Sequence, residues 1–152
     1  MVTENSAVPD KSLLAQYLPA NYTDAYSKEV SGRDETTPEE LMQAIFTHPS
    51  PLAGALMKLR NILVKPFGLE TGSLEKQVAD RILCRSDREI VIGMNDKHLW
   101  FAVSLLCAPK NGGSQRITVT TIVKYNRVLG KAYFFFVRPF HRLLVRRSLE
   151  KL

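Results

Sequence analysis

Residues 127–152 read as one long helix with a wide apolar stripe, and a helix of that kind needs a long apolar surface to lie on. At about 100° per residue, Leu129, Tyr133, Phe136, Phe140 and Leu144 gather on one side. Arg127, Lys131, Arg138 and Arg142 gather nearly opposite. Full burial of a large apolar side chain contributes roughly 1.5–3 kcal/mol, against about 0–1 kcal/mol for an exposed ion pair. Packing, not charge, therefore holds the helix. Two details go beyond a packing helix. Phe134, Phe135 and Phe136 are consecutive, and three neighbours spread over about 200° cannot all enter one core. The same angles put Phe134 near the basic face. Pro139 removes the hydrogen bond to residue 135, which predicts a kink beside Arg138 and His141.

The surface that takes this helix is legible upstream. Ile82 to Arg85, Glu89 to Met94, His98 to Cys107 and Gln115 to Tyr125 are strand-like runs. The polar segments Ser86-Asp87-Arg88, Asn95-Asp96-Lys97 and Asn111-Gly112-Gly113 separate them, the pattern of an antiparallel meander. Leu99, Phe101, Val103, Leu105 and Cys107 share one face, as do Ile117, Val119, Thr121, Val123 and Tyr125. The other face is mixed and reads as partly solvated.

Before the meander, Thr37-Pro38-Glu39-Glu40 is a capping box opening a helix whose apolar face is Leu41, Met42, Ile45 and Phe46. After the break at Thr47 to Pro51, a second helical pattern runs from Leu52 to Leu63 and stops at Lys65-Pro66. A weaker strand spans Tyr22 to Val30, with Tyr26, Lys28 and Val30 on one face. Residues 1–20 contain Pro9 and Pro19 and read as a loosely ordered arm that Leu13, Leu14, Tyr17 and Leu18 would dock. The expectation is one α+β domain over residues 21–152, with two short helices after the first strand and a long helix at the end.

Charge divides unevenly along the chain. Residues 1–50 hold three Lys or Arg against eight Asp or Glu, whereas residues 127–152 hold seven against one. The final helix thus carries an excess equal to the whole net charge of +6, which suits an anionic surface or ligand. Nucleic acid ranks last, because no aromatic platforms interleave with basic residues on the strands. No secretory signal opens the chain, and the longest uncharged run of the last helix, Ala132 to Val137, is far shorter than the roughly 20 residues of a membrane span. Cys84 and Cys107 sit in apolar runs as buried hydrophobes of a reducing compartment. A cytoplasmic location follows as the expectation.

Candidate chemistry is sparse. Asp96, Lys97 and His98 form a loop where a carboxylate and an imidazole could serve as acid and base. His141 beside Arg138 could meet an anion, and Asn126 opens the last helix. His48, His98 and His141 are too far apart in sequence, and the cysteines too isolated, to suggest a metal site. No phosphate loop, nucleophile elbow or dinucleotide fingerprint is present, so no cofactor is expected.

Three segments, LMKLRNILVKPFGL at 56–69, GMNDKHLWF at 93–101 and YNRVLGKAYFFFVRPFHRLLVRR at 125–147, resemble the uncharacterised DUF2867 family. The order strand, helices, meander and long final helix is similar to the helix-grip fold of START and Bet v 1-like domains. The sequence departs from the family pattern at Trp100 and Ala102. The resemblance implies a curved sheet wrapped around the C-terminal helix, with an apolar cavity between them. It implies no activity.

The leading expectation is therefore a small apolar or amphipathic ligand in that cavity, with Asp96, His98, Asn126, Tyr133, Phe134, Arg138 and His141 as contacts. A cyclase-like or hydrolase-like enzyme using Asp96 with His98 or His141 is the first alternative. The second is an interaction module whose basic helix meets anionic lipid or an acidic partner, and self-association through the phenylalanines is a further expectation.

Overall fold

The computed structural model describes residues 1–32, 34–46, 81–95 and 99–152. Six strands, β1 (Val2–Asn5), β2 (Tyr22–Ser31), β3 (Ile82–Arg85), β4 (Glu89–Asn95), β5 (Leu99–Cys107) and β6 (Ser114–Tyr125), form one antiparallel sheet in the order β1-β2-β6-β5-β4-β3. Two α-helices are described, α1 (Pro38–Phe46) and α2 (Val128–Glu150), with a 3-10 turn at Leu13–Tyr17. The second helical pattern, Leu52 to Leu63, lies outside the described residues.

The alternation fixes the sheet's two faces. β5 and β6 pair from Leu99↔Tyr125 through Cys107↔Ile117, so their two apolar rows coincide on one side. That side forms the main core. Ile90, Ile92, Leu105, Cys107, Ile117 and Val119 are joined there by Tyr26 and Val30 from β2, and Leu41 of α1 and Leu149 of α2 close over them. The capping box of α1 is formed in both directions: the Thr37 amide donates to Glu40 Oε2 at 3.1 Å, and the Glu40 amide donates to Thr37 Oγ1 at 3.2 Å.

The mixed face is covered at its centre rather than solvated. Residues 1–20 supply β1, which pairs with β2, and the 3-10 turn, which puts Leu14 against Val91, Ala102 and Ile122. A buried carboxylate explains the docking. Glu89 accepts hydrogen bonds from the hydroxyls of Ser12 and Ser104, and from the Leu13 amide at 2.8 Å. Three donors stabilise a charge that would otherwise be costly to bury.

Helix α2 sits in a different rotation from the one its hydrophobic pattern suggested. Gly130, Phe134 and Leu149 are buried, and Val137, His141, Val145 and Ser148 are half-buried along the same side. Leu129, Phe135, Phe136 and Leu143 are exposed. The apolar arc on this helix is wider than one packing face, so hydrophobicity alone does not choose among rotations. The observed one puts side-chain-free Gly130 and the polar His141 toward the sheet. Phe134, expected near the basic face, is the phenylalanine that enters the core.

Candidate functional site

Strand alternation places Tyr22, Asp24 and Tyr26 on the face of β2 that α2 crosses, and β6 sets Thr121 opposite Asp24 in register. Asp24 is 3 % exposed. A carboxylate on the core side of a strand is expensive unless its oxygens are satisfied, and only one of them is. The Tyr22 hydroxyl donates to Asp24 Oδ2 at 2.6 Å. His141, reaching down from α2, brings Nε2 to 3.2 Å from the same oxygen. That approach is close enough for an ion pair when the imidazole is protonated, but it is off-line for a hydrogen bond. Asp24 Oδ1, Thr121 Oγ1 and His141 Nε2 are consequently buried with no hydrogen-bond partner among the described residues.

Aromatic rings wall this polar cluster. Phe134 lies on Tyr22 with ring centroids 4.8 Å apart, and it stands 6.3 Å from Tyr125 and 6.5 Å from the His141 ring. Val123 and Leu99 complete the contact surface beneath it, with Tyr133 packed against them. On the other side, Arg142 Nε donates to the Tyr26 hydroxyl at 3.0 Å and its guanidinium pairs with Glu4 of β1. The ends of the chain are thereby tied together over β2.

The environment keeps both tyrosines protonated. Burial pushes the Tyr22 phenol well above its usual range, and the hydrogen bond it donates to Asp24 pushes it further. Burial also raises Tyr26, opposed by the hydrogen bond from Arg142. Arg142 is held above its ordinary value, chiefly by that same bond. Tyr22 is therefore a fixed donor to Asp24 at neutral pH. The free oxygen of Asp24 is left as an acceptor, beside a hydroxyl and an imidazole nitrogen that also lack hydrogen-bond partners among the described residues. This set can bind a hydrogen-bond donor, and its Asp–His pair has the composition of an acid–base couple.

The residues singled out from the sequence distribute unevenly. His141 and Phe134 stand at the cluster and Tyr133 borders it. Arg138 is exposed, its guanidinium 5.9 Å from the Phe135 ring, and Asn126 is exposed just before α2. Asp96 and His98 lie outside the described residues. Tyr22, Asp24 and Thr121 carry no motif in the sequence that marks them as a site. Their signal was available: the apolar face of β2 continues back from Tyr26 to an acidic residue at Asp24. Among the described residues no cluster of His, Cys, Asp or Glu could hold a metal ion, and no helix is long and apolar enough to cross a membrane.

Residues 17–148 match DUF2867, a family described as a protein of unknown function. The chain belongs to DUF2867. Neither a curated protein nor a solved structure matches it significantly. In this DUF2867 chain the candidate site is the buried cluster around Asp24. That site spans β2, β6 and α2, all within the matched range.

Proposed function

We propose that this DUF2867 protein binds a small amphipathic molecule between the sheet and α2, with Asp24 and His141 as the polar anchor and Phe134 as part of the apolar wall. One observation carries the reading: a buried carboxylate with one oxygen unsatisfied, next to an unsatisfied hydroxyl and imidazole nitrogen. A buried polar atom without a partner costs about 1–3 kcal/mol, more when it is charged. A ligand amine or hydroxyl donating to Asp24 Oδ1 would recover that cost on binding. The antiparallel sheet crossed by a C-terminal helix is compatible with a helix-grip fold, in which such ligands lie under the helix.

A thermal-shift screen of small alcohols, amines and acids on apolar bodies tests this. At a hundredfold excess over Kd a ligand stabilises by about 2.7 kcal/mol. Compounds with a donor group should raise the melting temperature of the wild type and not that of Asp24→Asn. Equal shifts in both proteins would remove Asp24 from the site.

The 3.2 Å approach of His141 to Asp24 also supports a second reading, acid–base catalysis on the bound molecule. Turnover of a hit compound that His141→Gln abolishes while leaving its binding intact would favour this over simple binding. An unchanged rate would exclude it.

A further inference from the structure

The rotation of α2 leaves a second apolar stripe on its outer side. Val128, Leu129, Phe135, Phe136 and Leu143 are all exposed, with Phe135 and Phe136 at 64 % and 67 % and their rings edge to face at 5.7 Å. From Val128 to Leu143 the stripe runs about 22 Å at the rise of an α-helix. Lys131 and Arg138 form a row along one flank, and Arg138 packs over the Phe135 ring. Neither has an ion-pair partner among the described residues, whereas Arg142, farther along the same flank, is taken up by Glu4. A convex ridge of aromatic and aliphatic side chains beside a cationic row is the pattern of a helix lying in the headgroup region of a bilayer.

We propose that α2 docks this protein on an anionic phospholipid surface, with Phe135 and Phe136 inserted at the acyl boundary and Lys131 and Arg138 against headgroup phosphates. Charge selects this occupant. A second copy of the chain would bring the same cationic row against itself across an isologous contact, whereas anionic headgroups complement it along its whole length. The surface is separate from the Asp24 cluster, which lies on the opposite side of the helix, and the inference stands without it.

Co-sedimentation of the full chain with phosphatidylcholine vesicles, with and without about one third phosphatidylglycerol, tests the proposal. At low salt the wild type is expected to bind the anionic vesicles only. Removing apolar area in Phe135→Ser/Phe136→Ser should weaken binding at least about tenfold. At about fivefold per cationic residue, Lys131→Gln/Arg138→Gln should weaken it about twenty-five-fold. Phe136→Trp gives a readout that does not depend on the double variants folding: its emission should shift to the blue with anionic vesicles and not with neutral ones. The proposal is overturned if the wild type fails to sediment at low salt, if the serine variant binds as tightly as wild type, or if the Trp emission does not move. A wild-type dimer that the serine variant dissolves, with no vesicle binding by either, would assign the stripe to self-association instead.

Discussion

Three adjacent phenylalanines offer a direct test of how α2 is seated. Phe134 is 6 % exposed beneath the helix, against Tyr22, Tyr125 and Val123. Its neighbours Phe135 and Phe136 are nearly two-thirds exposed. Truncating a buried phenylalanine to alanine costs about 3–5 kcal/mol, the lost transfer energy plus the cavity that remains. Phe134→Ala should fall in that range. Phe135→Ala and Phe136→Ala, which remove little buried area, should each stay within about 0.5 kcal/mol. For a domain of this size each kcal/mol moves the melting temperature about 2–4 °C, so Phe134→Ala should melt about 6–20 °C lower and the other two within about 2 °C of wild type. Urea unfolding of the three variants, read as midpoints at constant slope, supplies the free energies. If Phe136→Ala costs as much as Phe134→Ala, the helix lies in the rotation its hydrophobic pattern suggested, and His141 does not reach Asp24.

Two further predictions concern other buried groups. Glu89→Gln keeps the size of the side chain but turns an amide nitrogen toward donors that Glu89 now accepts from; it should lower stability by about 1–3 kcal/mol and remove hydrogen-exchange protection at Leu14, and unchanged protection would show that Glu89 does not staple the 3-10 turn. Burial pushes the Cys107 thiol up from its ordinary 9.0 to about 12, so the unfolded thiol ionises while the folded one does not. The stability it supports is complete below pH 9 and declines between pH 9 and 12; Cys107→Ala should flatten that part of the curve of urea midpoint against pH, and an identical slope would contradict the assignment.

Much of the fold was legible because it follows from local rules. Period-two alternation separated the apolar face of β5 and β6 from the mixed one, and Thr37 with Glu40 marked the start of α1 from a reciprocal cap. The site was less legible. A helix whose apolar residues cover more than half its circumference has several rotations of similar hydrophobic merit, and tertiary contacts decide among them. His141, which meets Asp24, is one such contact, and Phe134 against Tyr22 is another. Asp24 itself is harder to read: alternation puts it on the same face as Tyr26, yet the mixed residues of a weak strand do not mark that face as buried. The docking of residues 1–20 depends on Glu89, whose donors Ser12 and Leu13 are more than seventy residues away in sequence.

On the proposed function, the unsatisfied atoms of Asp24 and His141 mark the place of a bound molecule. Native mass spectrometry of the protein recovered from its own cell extract tests it most directly, with Asp24→Asn and His141→Ala recovered in parallel. The predicted result is a wild-type mass exceeding that of the polypeptide by one small molecule, released on collisional activation and absent from both variants. A bare polypeptide mass for all three, or the same added mass on all three, would contradict the claim.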